Sequence, residues 1–442
     1  MLKIIDSTEL DMERVKTKTA AATEVTATVA AILEDVKNRG DEALREYTSR
    51  FDGCDIAEFE LSRSAMDNAI KTVDPEFIKV MERAAANIES YHLNQVSTGF
   101  DLLPKKGIIL GQKITPIAQV GCYIPGGTAP YPSSVLMNCI PAKIAGVKEI
   151  VILTPPSSAP DTAIADSRTR ECNGVDARIL AAAEIAGVDR VFTVGGAQAI
   201  AALAYGTQTI PRVNKITGPG NMYVSEAKRQ VYGIVGIDML AGPSDILIVA
   251  DKHTNPKIIA ADMLSQCEHG ADSKAVLVTD SLRLAKKVQA EIKVQIQTLP
   301  RKDIAAKALK DNSMIVVAPT IDEVFTIVNK LAPEHLEVLL DEPFNYLSRI
   351  VNAGSVFLGT YTAETFGDYL AGPNHVIPTN GTAHFSSPLT VDDFIKKTSY
   401  TYFMKEALMT NYADAIRFAK EERLEAHARA VEERLKELGI NL

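Results

Sequence analysis

The side chains best suited to chemistry fall in four short stretches of this sequence. Ser265-Gln-Cys-Glu-His-Gly270 sets Gln266 and His269 three positions apart, the spacing that puts two side chains on one helix face. Leu331-Ala-Pro-Glu-His-Leu336 sets Glu334 beside His335, and an adjacent carboxylate and imidazole can carry out two separate proton transfers. Gly367 to His375 offers Asp368, and the stretch EERLEAHARA near the C-terminus offers Glu422 and His427. A metal site built from Gln266, His269, Asp368 and His427 has only nitrogen and oxygen donors. Such a set suits zinc with room for a substrate and tolerates manganese or cobalt. Each stretch also has a plain structural reading. Helix ends are often polar, a glutamate in a first helical turn complements the dipole, and His427 sits among charges that suit a solvated helix face. Spacing makes only the Gln266 and His269 pair local.

Glycine-rich turns supply a second kind of site. Val194-Gly-Gly-Ala-Gln198 and Thr217-Gly-Pro-Gly-Asn221 stand where an apolar run gives way to a helical pattern, and Pro125-Gly-Gly-Thr-Ala-Pro130 makes a third such loop. In open α/β sheets this edge binds ligands, and helix N-termini there favour phosphate. None of the three is GxGxxG and no Walker A motif is present, so tight turns alone remain an alternative use for these glycines.

The elements that must position these residues centre on Ala241 to Gly270. Asp245 to Ala250 is a continuous apolar run of the kind buried on both faces of a sheet. Thr254 or Asn255 can cap a helix with Pro256 in its first turn, running to Cys267 or Glu268 with Gly270 as the C′ residue. Ahead of the strand, Gly-Pro-Ser places Ser244 in a turn. The pattern strand then helix recurs from about Lys105 to Leu358, which predicts parallel sheet and an α/β fold in two incomplete Rossmann-like lobes. The predicted divisions are an arm over 1–23, a larger lobe from 24–127 and 242–388 carrying the metal and catalytic residues, a second lobe over 128–241, and a helical tail over 389–442. The tail reads as too polar to form a core alone. Pro155 to Val175 has no helical or strand period and reads as a long surface loop.

Composition excludes several classes. With a net charge of −9 and no basic run, nucleic acid is not an expected partner. No stretch reaches the apolar length of a membrane span, and the N-terminus lacks a signal-peptide core. The five cysteines, Cys54, Cys122, Cys139, Cys172 and Cys267, are scattered and never in CxxC spacing, which points to a reducing compartment and a cytoplasmic protein.

Taken together, the stretches YIPGGTAPYPSSVLM, VGGAQAIAALAYGT, ITGPGN, DMLAGPSDILIVAD, SQCEHG, APEHLEV, NAGSVFLG, GDYLAGPNHVIPT, FSSPLTVDDF and EAHARAVEERL closely resemble the histidinol dehydrogenase family. They occur in family order from about Glu24 onward. The resemblance implies a zinc- and NAD-dependent enzyme that oxidises L-histidinol to L-histidine in two steps through a held aldehyde. It places one zinc per subunit on Gln266, His269, Asp368 and His427, and the acid–base pair on Glu334 and His335. Substrate contacts fall on Ser244 and Glu422 beside His335 and the metal ligands, and NAD contacts on Tyr123, Gln198 and Asn221. It further implies a homodimer in which the C-terminal tail completes the partner's site. Three rivals stand beside this reading: a related zinc and NAD enzyme for another small alcohol such as a sulfonated diol, a metal hydrolase using Glu334 to activate water, and a non-catalytic zinc binder. Within the redox reading, Cys122, Cys139 or Cys267 could instead form a thiohemiacetal.

Overall fold

Strand Asp245–Ala250 is buried at every position and lies inside a six-stranded sheet. From edge to edge that sheet runs Lys3–Asp6, Met314–Val317, Lys274–Thr279, Asp245–Ala250, His335–Leu339 and Ser355–Leu358, parallel throughout. Helices cover both faces, as a parallel sheet requires. Pro256–Cys267 and Leu282–Gln295 pack with Ile246, Ile248 and Leu277, while Ile321–Leu331 packs with Leu247, Val249 and Val276 on the other side. The computed structural model describes residues 2–11, 23–126, 130–157, 163–164 and 174–440.

A second, five-stranded parallel sheet has the order Gly236–Ile237, Lys215–Thr217, Gln119–Tyr123, Glu149–Thr154 and Arg190–Thr193. The two parallel sheets bear out the α/β reading with Rossmann-like lobes. The predicted lobe boundaries shift. Gln119–Tyr123 belongs to the five-stranded sheet, not to the larger lobe. The helices between Thr23 and His92 also bury their apolar faces around that sheet: Val29, Ile32, Val36 and Leu44 against Val151, Phe192 and Ile200, and Met66, Met81 and Ile88 against Val120, Ile152 and Leu180. Helical periodicity specifies that such a face is buried, not which sheet buries it.

By contact, the chain divides into one unit of Met1–Val96 with Ile117–Phe394 and another of Ser97–Pro116 with Ile395–Leu442. The second unit is a three-stranded antiparallel sheet, Ile395–Phe403, Ile108–Pro116 and Phe100–Lys105, followed by the helices Lys405–Glu421 and Glu425–Glu437. The tail is therefore not all helix, since its first nine residues after Phe394 pair along Ile108–Pro116. Its two helices share a small core of Ile416, Ala419, Ala428 and Leu435, which the expectation of a coreless tail did not anticipate.

Three local expectations also change. The described part of the N-terminal arm is an edge strand of the six-stranded sheet, whereas residues 12–22 lie outside the described residues. Most of the predicted loop from 155 to 175 lies outside them too, as do Cys172 and residues 127–129 of the Pro125 turn; what is described of the loop includes a two-residue ladder between Ala163–Ile164 and Val175–Asp176. Asn255, not Thr254, caps the central helix, its side chain accepting the Lys257 N–H. That helix ends on Glu268 in right-handed conformation, so Gly270 is not the left-handed cap.

Candidate functional site

His335 opens strand His335–Leu339 rather than a helix, and this decides what it can do. The helix Ile321–Leu331 ends at Ala332 in left-handed conformation, with φ 46°. Pro333 follows, and the chain then enters the sheet beside Asp245. Glu334 and Asp245 clasp each other: the Asp245 N–H donates to Glu334 Oε2 at 2.8 Å, and the Glu334 N–H donates to Asp245 Oδ1 at 3.0 Å. Lys274 Nζ lies 3.4 Å from the other Asp245 oxygen. The clasp depends on a close approach by Gly354, where a Cβ would stand 2.6 Å from the Glu334 carbonyl oxygen and 3.2 Å from that of Pro378.

His335 Nδ1 is 2.9 Å from the Asp245 carbonyl oxygen. A carbonyl only accepts, so Nδ1 carries the hydrogen and Nε2 keeps its lone pair. Burial holds the imidazole below its usual pKa, only partly offset by Asp368 and Asp245, so the ring is neutral near pH 7. Glu334 goes the other way. Burial pushes its carboxyl well up, and the negative charges of Asp245, Asp368 and Glu364 add to the rise against the Asp245 N–H bond.

Gln266 is fully buried, yet neither atom of its carboxamide has a hydrogen-bond partner. An amide stranded in this way costs stability unless a ligand or ion completes it. His269, in the turn after the helix, is exposed and close enough to disfavour the charged forms of His335 and His375. Asp368 is half-buried on the short helix Glu364–Tyr369. One ligand atom each from His335, Glu364 and Asp368 lie within 4.8 Å of one another, an arrangement that can hold a cation. Glu364 does not stand out in the sequence, although it lies four positions before Asp368, a spacing that marks one helix face. Glu364 Oε1 stands 3.6 Å from His335 Nε2, and burial with the neighbouring carboxylates pushes its pKa up to about 9. His375, which ends the Gly367 stretch and has no role assigned from sequence, lies 3.0 Å through Nδ1 from the Asp368 carbonyl and 3.4 Å through Nε2 from Ser134 Oγ.

This cluster gathers at the amino ends of the six strands, where Asp245, Lys274, His335 and Ser355 begin their elements. The carboxyl ends of the five-stranded sheet carry the other set. Tyr123 closes its strand with its hydroxyl accepting the Gly196 N–H at 3.2 Å, and burial pushes that phenol up to about 12. Gln198 is buried with Oε1 unpartnered, and the hydroxyls of Thr154 and Thr193 at the same edge are unpartnered too. Asn221 caps helix Met222–Val231, its side chain accepting from the Tyr223 and Val224 N–H groups. Gly218, at φ +107°, admits no side chain, because a Cβ would lie 2.0 Å from the Tyr123 carbonyl oxygen. The buried Lys228 and Asp238 pair holds that turn, Lys228 donating to the Gly218 carbonyl and Asp238 accepting its N–H. Ser134, on the helix that follows the Tyr123 strand, joins this edge to His375.

Ser244 is half-buried in the turn before Asp245. Glu422 and His427 belong to the second unit and are both exposed, Glu422 ending helix Lys405–Glu421 and His427 in the first turn of Glu425–Glu437. Cys122, Cys139 and Cys267 are fully buried. Burial pushes the Cys267 thiol up to about 12 and the Cys139 thiol well above its usual value, the opposite of what a nucleophilic cysteine needs.

Likeness to known proteins extends over nearly the whole chain. A family model described as histidinol dehydrogenase matches residues 15–435. The histidinol dehydrogenase of Streptococcus mutans is 51% identical over 411 residues, covering 93% of each chain. That of Listeria monocytogenes is 48% identical over 428 residues, covering 97% of each. The crystal structure of histidinol dehydrogenase from Elizabethkingia anophelis superposes with a TM-score of 0.91 at 36% identity, covering 99% of both chains. The chain belongs to the histidinol dehydrogenase family of oxidoreductases.

Proposed function

We propose that the protein oxidises L-histidinol to L-histidine through L-histidinal, in histidine biosynthesis in the cytoplasm, with two NAD+ per turnover and one zinc per subunit. The buried, unpartnered carboxamide of Gln266 carries the metal reading, because a side chain costly to bury alone is what a metal-completed site leaves behind. Gln266, His269 and Asp368 would hold the ion with His427 of the partner subunit, an all nitrogen and oxygen set that zinc accepts. Bound there, zinc would supply a Lewis acid that orients the substrate. NAD+, held by Tyr123, Gln198 and Asn221, supplies the hydride acceptor.

The protein's own groups handle the protons. His335, with Nδ1–H committed to the Asp245 carbonyl, takes the carbinol proton on Nε2 as hydride leaves the carbon. Glu334 serves the second half. Water adds to the aldehyde, and a carboxylate at Glu334 removes its proton before the second hydride leaves. The raised pKa of Glu334 suits an acid that must give and take a proton near neutrality once a cation lowers it again. Ser244 contacts the substrate, and Glu422 of the partner subunit pairs with its ammonium group.

A homodimer fits the second unit taken by itself. Phe100, Leu102, Leu103, Tyr402 and Phe403 of its strands and Phe418 of its helix are exposed in the single chain, an apolar surface of the kind that a second copy covers. No helix among the described residues is long and apolar enough to cross a membrane.

The deciding experiment is NADH formed per L-histidinol consumed, on protein as purified, after chelation and after zinc is restored. Two NADH, lost on chelation and recovered with zinc, is the expected result. One NADH with released aldehyde would overturn the second step, and none from folded, zinc-loaded protein would point to a different alcohol.

A further inference from the structure

A buried carboxyl, Glu337, and a half-buried one, Asp262, stand behind the site, and neither has a place in the proton transfers. Glu337 lies two residues along the strand from His335 and is fully buried. Its Oε1 accepts the Glu364 N–H at 2.9 Å, and its carboxyl hydrogen-bonds that of Asp262. Glu337 Oε2 has no partner other than the Asp262 carboxyl.

The three elements joined here carry the candidate ligands. Asp262 is one helical turn before Gln266 on Pro256–Cys267. Glu364 opens the helix that presents Asp368 four positions later. That helix is only six residues long and its N-cap, Ala363, offers no side-chain acceptor. A helix so short is marginal alone, and its first N–H groups need partners from elsewhere. Glu337 supplies the partner from a neighbouring strand, acting as a remote cap.

We infer that Glu337 is a positioning residue of the metal site, capping the helix of Asp368 with one oxygen and holding the helix of Gln266 through Asp262 with the other. The inference rests on the zinc reading above. Groups that orient metal ligands in this way typically govern metal affinity by about 10–100-fold.

The test compares zinc dissociation constants, measured by chelator competition without turnover, for wild type, Glu337→Leu, Glu337→Gln and Asp262→Ala. Glu337→Leu keeps an apolar fill of similar size but removes both bonds, and zinc binding should weaken by about 10–100-fold. Glu337→Gln keeps an acceptor for the Glu364 N–H and a donor for Asp262, and should bind within a few-fold of wild type. Asp262→Ala loses only the Gln266 arm and should fall between, which keeps the inference testable should Glu337→Leu not fold. Wild-type affinity in folded Glu337→Leu, or equal losses in the Leu and Gln variants, would overturn the role. Should Glu337→Leu not fold, wild-type affinity in Asp262→Ala would do the same. A wild type that binds no zinc would overturn the metal reading and this inference together, a result distinct from the others.

Discussion

Replacing Gln266 with methionine should make the metal-free protein more stable while removing its response to zinc. The side chains are similar in size, so the core around Met263 and Leu264 keeps its packing. What disappears is a fully buried carboxamide with two unpartnered atoms. An unsatisfied buried polar group costs about 1–3 kcal/mol, and the exchange is expected to recover about 2 kcal/mol. Unfolding entropy near 2.1 cal/mol/K per residue gives about 0.9 kcal/mol/K for 442 residues, so the melting midpoint should rise by about 2 °C. Zinc at a hundredfold excess over its dissociation constant stabilises wild type by about 2.7 kcal/mol, or about 3 °C on the same scale. The order of the two midpoints should therefore reverse on adding zinc, with Gln266→Met ahead only without metal. Scanning calorimetry of chelated and zinc-loaded samples checks this. A lower midpoint for chelated Gln266→Met, or an undiminished zinc shift in that variant, would refute the assignment of the amide to a ligand position.

Other outcomes follow from the same geometry. His335→Asn should slow alcohol oxidation by about 10²–10⁴-fold, whereas Glu334→Gln should spare it and slow oxidation of supplied L-histidinal; equal losses at both steps would undo the division of labour. Because burial holds the His335 pKa below its ordinary value, the base stays neutral to lower pH, and the first-step rate should fall only below about pH 6.5, the reference value for histidine; an acid limb centred above neutrality would contradict the neutral tautomer. Gly354→Ala drives a methyl into the Glu334 carbonyl and should destabilise by about 1–3 kcal/mol, read by denaturant unfolding, with loss of activity beyond what unfolding explains. Lys228→Met leaves Asp238 buried and unpaired, and should lower stability by about 3–5 kcal/mol while raising the KM for NAD+ more than that for L-histidinol.

The parallel sheets were legible because buried strands and amphipathic helices leave different periods in the sequence, and Asp245–Ala250 lies where its apolar run puts it. Glu334 and His335 were visible as a pair, but their setting was not. Pro333 is compatible with the start of a helix or a turn, and only the pairing of His335 with Ile246 makes His335 the first residue of an interior strand. Gln266 and His269 could be read from local spacing. Asp262, Glu337 and Glu364 were missed because each reads as an ordinary charged residue until three separate elements bring them together. The strand Ile395–Phe403 was hidden for a similar reason. Eight of its nine positions are exposed, so it lacks the alternation that marks a half-buried strand.

The edge strand Lys3–Asp6 has one further consequence. Its hydrogen-bonding partner, Met314–Val317, is encoded about 310 residues later. At roughly 5–20 residues per second, the ribosome needs on the order of 15–60 s to deliver that partner. A strand made so far ahead of its partner is thus placed late. Throughout that interval the nascent chain carries an unpaired β-segment, and Leu2, Ile4 and Ile5, which later pack against the finished sheet, remain uncovered. The wait is set by the separation of the two strands along the chain and by the pace of translation, so synthesis rate, and not only final stability, bears on how much of this chain reaches the native sheet.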